Sequence, residues 1–146
     1  MYNKLQDDLK TYMKNKDNEK LSVVRLLYSQ IKNEAINLRI SDISDDIFFS
    51  VLKKSIKQIK ENIDNYTHLG RDDLSKKEQY ELSILSEYLP QQLSDEDLFN
   101  VVKKEVDKID NFSQKDIGTI IKRITEDYKN QVDGKRVSDI ISKSFL

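Results

Sequence analysis

The side chains of this chain that could do chemistry are chiefly cations. Lys115, Lys122, Arg123, Lys129, Lys135 and Arg136 gather in the last third, around Gly118 and the Asp133-Gly134 pair. Arg25, Lys32 and Arg39 recur at intervals of seven residues, and Lys53, Lys57 and Lys60 follow with Lys54 adjacent. Rows like these neutralise phosphates without reading base sequence. A solvated helix face with weak i, i+4 ion pairs has the same pattern, and spacing alone favours it. The other reactive types are sparse. His68, the only histidine, stands near a helix end beside Tyr66 and Gly70, where a cation suits the helix C-terminus. Glu78 and Glu81 can share a face at i, i+3, as the metal pairs of helical bundles do. With no second histidine to support them, a solvated face is expected. The chain has no cysteine, hence no thiolate nucleophile or thiolate metal ligand. Its three glycines, at 70, 118 and 134, are too scattered to cradle a phosphate. No metal and no cofactor is expected.

Helices must position these groups, because the apolar period is helical almost throughout. Leu21, Val24, Tyr28, Ile31, Ala35 and Leu38 form a 3-4-3-4 stripe on one face, running to about Arg39 with Asp17 or Asn18 as cap. A shorter amphipathic helix with Leu5, Leu9, Tyr12 and Met13 precedes it. Ser44 opens a third helix striped by Phe48, Leu52, Ile56, Ile59, Ile63 and Tyr66, which Gly70 ends in the left-handed region. Asp72 or Asp73 is expected to cap a fourth, with Leu82, Leu85 and Leu89 apolar and Pro90 as terminator. Beyond Pro90 three shorter helices follow. Ser94 with Asp97, and Ser113 with Asp116, have the spacing of capping boxes, and Asp133-Gly134 leads into the last helix. The predicted fold is all-α in two helical subdomains, 1–90 with four helices and 91–146 with three. Gly118 falls one turn inside a helix, at a cost of about 0.8–1 kcal/mol relative to Ala, so a close approach by another backbone or ligand is expected there.

Composition sets the limits. One hundred and forty-six residues suffice for a core without disulfides, and one proline with three glycines is too few for an all-β chain of tight turns. There is no apolar run long enough for a membrane span and no basic-then-apolar leader at the start, so the expected protein is soluble and cytoplasmic. Net charge is −1. Residues 1–90 carry 15 basic and 15 acidic side chains, and residues 91–146 carry 10 and 11. Any polyanion site therefore needs local segregation of charge.

Several motifs recur together in order and spacing: Arg25-Leu26, Ile31-Lys32-Asn33-Glu34, Lys57-Gln58 with Glu61, Gly70-Arg71-Asp72 with Leu74, Glu78, Glu81-Leu82, Tyr88-Leu89-Pro90, Lys115-Asp116-Ile117-Gly118 and Asp133-Gly134-Lys135-Arg136-Val137. Over essentially its whole length the chain resembles the GatB/YqeY family. That family comprises the tail domain of the B subunit of tRNA-dependent aspartyl/glutamyl amidotransferases and its small free-standing relatives. Two departures stand out. Ile59 replaces the arginine that often follows the Lys-Gln pair, and Asn130-Gln131-Val132 replaces the usual Gly-Arg-Ala before Asp-Gly.

The resemblance implies an all-α protein in two subdomains whose partner is tRNA, or a tRNA-dependent amidotransferase or synthetase complex. It also attaches the label of a carbon–nitrogen ligase with glutamine as amido-N donor. That chemistry needs a nucleophile to release ammonia and a site to activate the acceptor with ATP. This chain has no cysteine, phosphate loop or serine relay motif, so an accessory module without its own catalysis is expected. With the resemblance added, the expected tRNA contacts are Arg71, Lys115, Lys122, Arg123, Lys135 and Arg136. Gly70, Asp72, Glu78, Glu81, Pro90, Gly118 and Gly134 are read as the structural motif, with no catalytic residue and no metal. The alternative is a helical protein–protein adaptor that touches no nucleic acid and holds its partner helix near Leu89 to Leu93.

Overall fold

Most helices begin where the sequence offers a polar cap. In the computed structural model, which describes residues 1–146, seven α-helices and one 3-10 turn form in order, with no strand. They are α1 (Tyr2–Lys14), α2 (Asn18–Asn37), α3 (Asp45–His68), α4 (Asp72–Ser86), α5 (Asp95–Asp107), the turn Gln114–Asp116, α6 (Ile117–Asp127) and α7 (Gly134–Ser144). The expected all-α class is the observed one. Asp17 accepts from the Lys20 N–H at 3.4 Å, Ser44 from Ile47 at 3.3 Å, Ser94 from Asp97 at 3.1 Å and Asp133 from Arg136 at 2.8 Å. Each satisfies one backbone donor that the first turn leaves without a partner. The Ser113–Asp116 box closes reciprocally, but it winds the 3-10 turn ahead of α6.

The α4 start differs from expectation. Gly70, at φ +69°, ends α3 in the left-handed region, and the single residue left before α4 is Arg71. Arg71 therefore takes the N-cap position without a side-chain cap bond, and Asp72 and Asp73 lie inside the first turn. Their carboxylates favour that place by charge, next to the positive end of the helix.

Two compact units result, Met1–Tyr88 and Leu89–Leu146. The core of the first combines Leu5 of α1, Leu21, Val24, Leu27, Ile31 and Ala35 of α2, Phe48, Val51, Leu52 and Ile56 of α3, and Ile84 and Leu85 of α4. Four expected stripes are corrected at their ends, the first at Met13 of α1, which is exposed. Leu38 is the α2 C-cap and is 51% exposed. On α3, Ile59, Ile63 and Tyr66 are only half-buried. The buried face of α4 is Ile84 and Leu85, continued by Tyr88, while Leu82 and Leu89 are half-buried. Pro90 does not itself stop α4, because the helix ends at Ser86 and the chain turns through Glu87 and Tyr88.

The second unit encloses Leu98 and Val102 of α5, Ile120 and Ile124 of α6, Val132, and Val137 and Ile141 of α7. Here the glycine expectation is overturned. A Cβ on Gly118 would meet nothing within 4 Å, whereas one on Gly134 would lie 3.3 Å from the Ile121 Cγ2. The close approach is at the start of α7, where the Asp133 cap draws the backbone onto α6. Gly118→Ala therefore has only the helix preference to express, and it raises the denaturation midpoint by an amount equivalent to about 0.5–1 kcal/mol. A lowered midpoint in a urea titration would reveal a crowding that the structure does not contain.

Candidate nucleic-acid interface

The cations expected to meet a phosphate fall into two groups once their partners are known. All three arginines are engaged within their own unit. Arg71 donates to Asp73 from Nε and Nη2, both at 3.4 Å, at the exposed start of α4. This bond, aided by the Leu74 N–H, holds the Asp73 carboxyl below the ordinary range. Arg136 sends Nη2 to the Leu93 carbonyl at 2.7 Å and to the Asp95 carboxylate at 3.0 Å, and so ties α7 to the entry of α5. Arg123 donates to Glu105 at 2.8 Å.

Lys115, Lys122 and Lys135 are exposed and have no carboxylate partner. Lys115 lies in the 3-10 turn, Lys122 on α6 and Lys135 in the first turn of α7. Lys122 and Lys135 directly follow Ile121 and Gly134, the two residues in close approach, so both belong to the α6–α7 junction. As exposed ammonium groups they act on phosphates as point charges, with affinity that salt weakens.

Glu105 was not singled out in the sequence. It is a charged residue only 8% exposed, on the inward side of α5, and a buried carboxylate requires cationic partners. Arg123 and Lys108, the latter at 3.1 Å, provide them. The Arg123 bond holds the Glu105 carboxyl below its ordinary range, with the Lys108 bond acting the same way and burial opposing both. The one clue in the sequence was a carboxylate between Val102 and Val106, on the apolar side of the helix.

The sign of the pH effect follows directly. A carboxyl whose folded pKa lies below its unfolded value of about 4.3 contributes stability above that value. The contribution is lost as pH falls through the folded value. Glu105→Gln lowers stability at pH 7 by about 1.5–3 kcal/mol, the usual worth of charged hydrogen bonds. The variant also loses less stability than the parent on acidification. Urea titrations at pH 7 and about pH 3 measure both, and an equal acid loss in the two proteins would contradict the pairing.

The segment that departs from the family pattern is bound into the fold. Asn130 adopts φ +66°, the left-handed conformation that asparagine tolerates better than most residues. The Leu93 N–H donates to the Gln131 carbonyl at 3.1 Å. Gln92 Nε2 donates to the Asn130 carbonyl at 2.7 Å and Gln131 Nε2 to that of Gln91 at 3.3 Å, while Val132 enters the core. The substituted residues thus clip 91–93 against 130–132.

The remaining motif residues have mostly architectural surroundings. Burial raises the Glu81 carboxyl above its ordinary range, and the neighbouring Glu78 adds to this. His68 is exposed in the last turn of α3. Nowhere do three His, Asp or Glu side chains come together as a metal site would need.

A family model described as Yqey-like protein matches residues 2–145. Among curated proteins the chain is similar to altered inheritance of mitochondria protein 41, mitochondrial, of Vanderwaltozyma polyspora. That match is 28% identical over 139 residues, 95% of this chain and 66% of the relative. The protein of the same name from Saccharomyces cerevisiae is 35% identical over 107 residues, 72% of this chain and 58% of the relative. The one from Kluyveromyces lactis is 36% identical over 84 residues, 58% of this chain and 45% of the relative. The chain therefore spans between about half and two thirds of the length of these relatives. The expectation of a cytoplasmic protein is corrected by them, because each is named as mitochondrial. Composition reports compatibility with water and carries no information on which aqueous compartment holds the chain.

Proposed function

The chain belongs to the YqeY-like protein family, and on that premise we propose that it is an accessory module that docks tRNA, or the complex that amidates or aminoacylates tRNA, without catalysing alone. The observation that carries the reading is the trio Lys115, Lys122 and Lys135. These cations stay exposed and unpaired in a unit whose arginines 123 and 136 are engaged internally. Unpaired ammonium groups, two of them at the α6–α7 junction and Lys115 in the turn before α6, are suited to phosphate contacts, which position a nucleic acid without reading its bases. The resemblance to the tail of the amidotransferase B subunit supports tRNA as the ligand, and the near-neutral net charge makes local segregation necessary.

Fluorescence anisotropy of the protein titrated into labelled tRNA at about 50 and 200 mM salt tests this reading. Micromolar or tighter binding that weakens steeply between the two salts is the expected result. No binding at the lower salt overturns direct docking.

A further inference from the structure

The cationic row of α3 remains unused by the reading above. From Ile47 to Lys60 the chain contains no acidic residue and four lysines, Lys53, Lys54, Lys57 and Lys60, all exposed. None of the four takes part in an ion pair, although this unit carries as many acids as bases. Lys53 and Lys57 face each other at i, i+4, a like-charge arrangement that costs an isolated helix about 0.2–0.5 kcal/mol. Gln58, which could have been an acid relieving them, instead donates to Asn62 at 3.0 Å. The opposite face of α3 is held in place by Phe48, Val51, Leu52 and Ile56 in the core, and Ser55 donates to Gln30 of α2. The lysines therefore stand on a helix packed into the core, without a direct ion pair, and the first acids, Glu61 and Asp64, come one turn beyond Lys57 and Lys60.

We infer that α3 carries a second phosphate-contacting surface, Lys53, Lys54, Lys57 and Lys60, on the N-terminal unit. From Lys53 to Lys60 the helix rises about 10 Å, and a nucleic-acid strand carries about three phosphates over that length. Two other occupants fit less well. A lipid surface calls for exposed apolar side chains beside the cations, and in this stretch of α3 Phe48, Val51, Leu52 and Ile56 lie in the core while Ile47, Phe49 and Ile59 are half-buried. A protein partner calls for a desolvated aromatic or arginine anchor, and interfaces are depleted in lysine. The ligand is the one proposed above, so the inference rests on that reading for its chemistry, though on different residues.

The test compares three full-length proteins in the tRNA titration: the parent, the triple variant Lys53→Gln, Lys57→Gln, Lys60→Gln, and the triple variant Lys115→Ala, Lys122→Ala, Lys135→Ala. Glutamine is nearly as favourable in a helix as lysine, so the α3 variant keeps its helicity and denaturation midpoint. Its dependence of log affinity on log salt becomes shallower by about two to three, and its affinity at the lower salt falls at least tenfold. An unchanged slope and affinity, with the parent binding, overturns the α3 surface and leaves the C-terminal reading standing. Loss in the α3 variant with none in the C-terminal variant supports α3 and overturns the C-terminal assignment. Failure of the parent to bind overturns both. Sedimentation of the parent, but not the α3 variant, with phosphatidylserine vesicles and no tRNA binding would reassign the row to lipid.

Discussion

Tyr88→Ala destabilises the N-terminal unit by about 3–5 kcal/mol, the usual cost of truncating a buried aromatic to alanine. Tyr88 lies just beyond α4 and is 2% exposed. Its ring meets Phe48 of α3 edge-on at 6.1 Å, and the Lys4 ammonium of α1 sits 5.1 Å from the ring centroid. Its hydroxyl donates to the Asp8 carboxylate of α1. One side chain therefore joins the first helix, the third and the exit from the fourth. Deleting it opens a void between elements that cannot all close upon it. Against a typical domain stability of about 5–15 kcal/mol the loss is large.

Tyr88→Phe separates the two contributions. It keeps the ring and removes the bond to Asp8, at a cost of about 1–2 kcal/mol. Burial, followed by the Asp8 bond, raises the Tyr88 hydroxyl well above its ordinary value. A folded pKa above the unfolded value of about 10 means that this stability is fully present below pH 10 and declines as pH rises further. The phenylalanine variant therefore loses less stability than the parent in alkali. Urea unfolding followed by circular dichroism reads both effects. A Tyr88→Ala midpoint equal to that of the parent would contradict the packing described.

The triple variant Lys115→Ala, Lys122→Ala, Lys135→Ala has the largest expected effect on binding. Each phosphate contact adds about 0.7–0.9 to the slope of log affinity against log salt. Three such contacts weaken binding by roughly 20- to 40-fold between 50 and 200 mM salt. The variant loses that sensitivity, together with affinity on the order of 100-fold at the lower salt. Its denaturation midpoint stays near that of the parent, because none of the three side chains is buried or paired. Arg123→Ala behaves in the opposite way, lowering stability by exposing the need of Glu105 for a partner while leaving the salt slope close to the parent value. If Arg123 removal alters the slope as each lysine does, the division between engaged arginines and free lysines is wrong.

The all-α class was legible in the sequence because both of its causes are local. Apolar residues three and four apart must share a helix face, and Asp17, Ser44, Ser94 and Asp133 lie within three residues of the N–H groups they cap. The left-handed turn at Gly70 is local too. Local rules were less successful where neighbours intervened. The Leu38 end of its stripe ran past the core, and Gly118 was given the close approach that belongs to Gly134. Periodicity marks a face without stating how far along the helix a neighbour extends.

The candidate interface was legible only as a set of residue types. Six cations looked equivalent in sequence; a neighbour two residues on engages Arg71, and distant partners engage Arg123 and Arg136. Arg123 meets Glu105 from 18 residues away, Arg136 meets the Leu93 carbonyl from 43, and Tyr88 reaches Asp8 across 80. A cation paired within its own protein brings less free charge to a ligand than an unpaired one, and for Arg123 and Arg136 that pairing depends on which distant segments packing brings together. By itself, then, the sequence determined the helices, most of their caps and the family. The tertiary structure decided that Arg123 and Arg136 are paired within the chain, because helix signals act over three or four residues while these ion pairs and burial act through space.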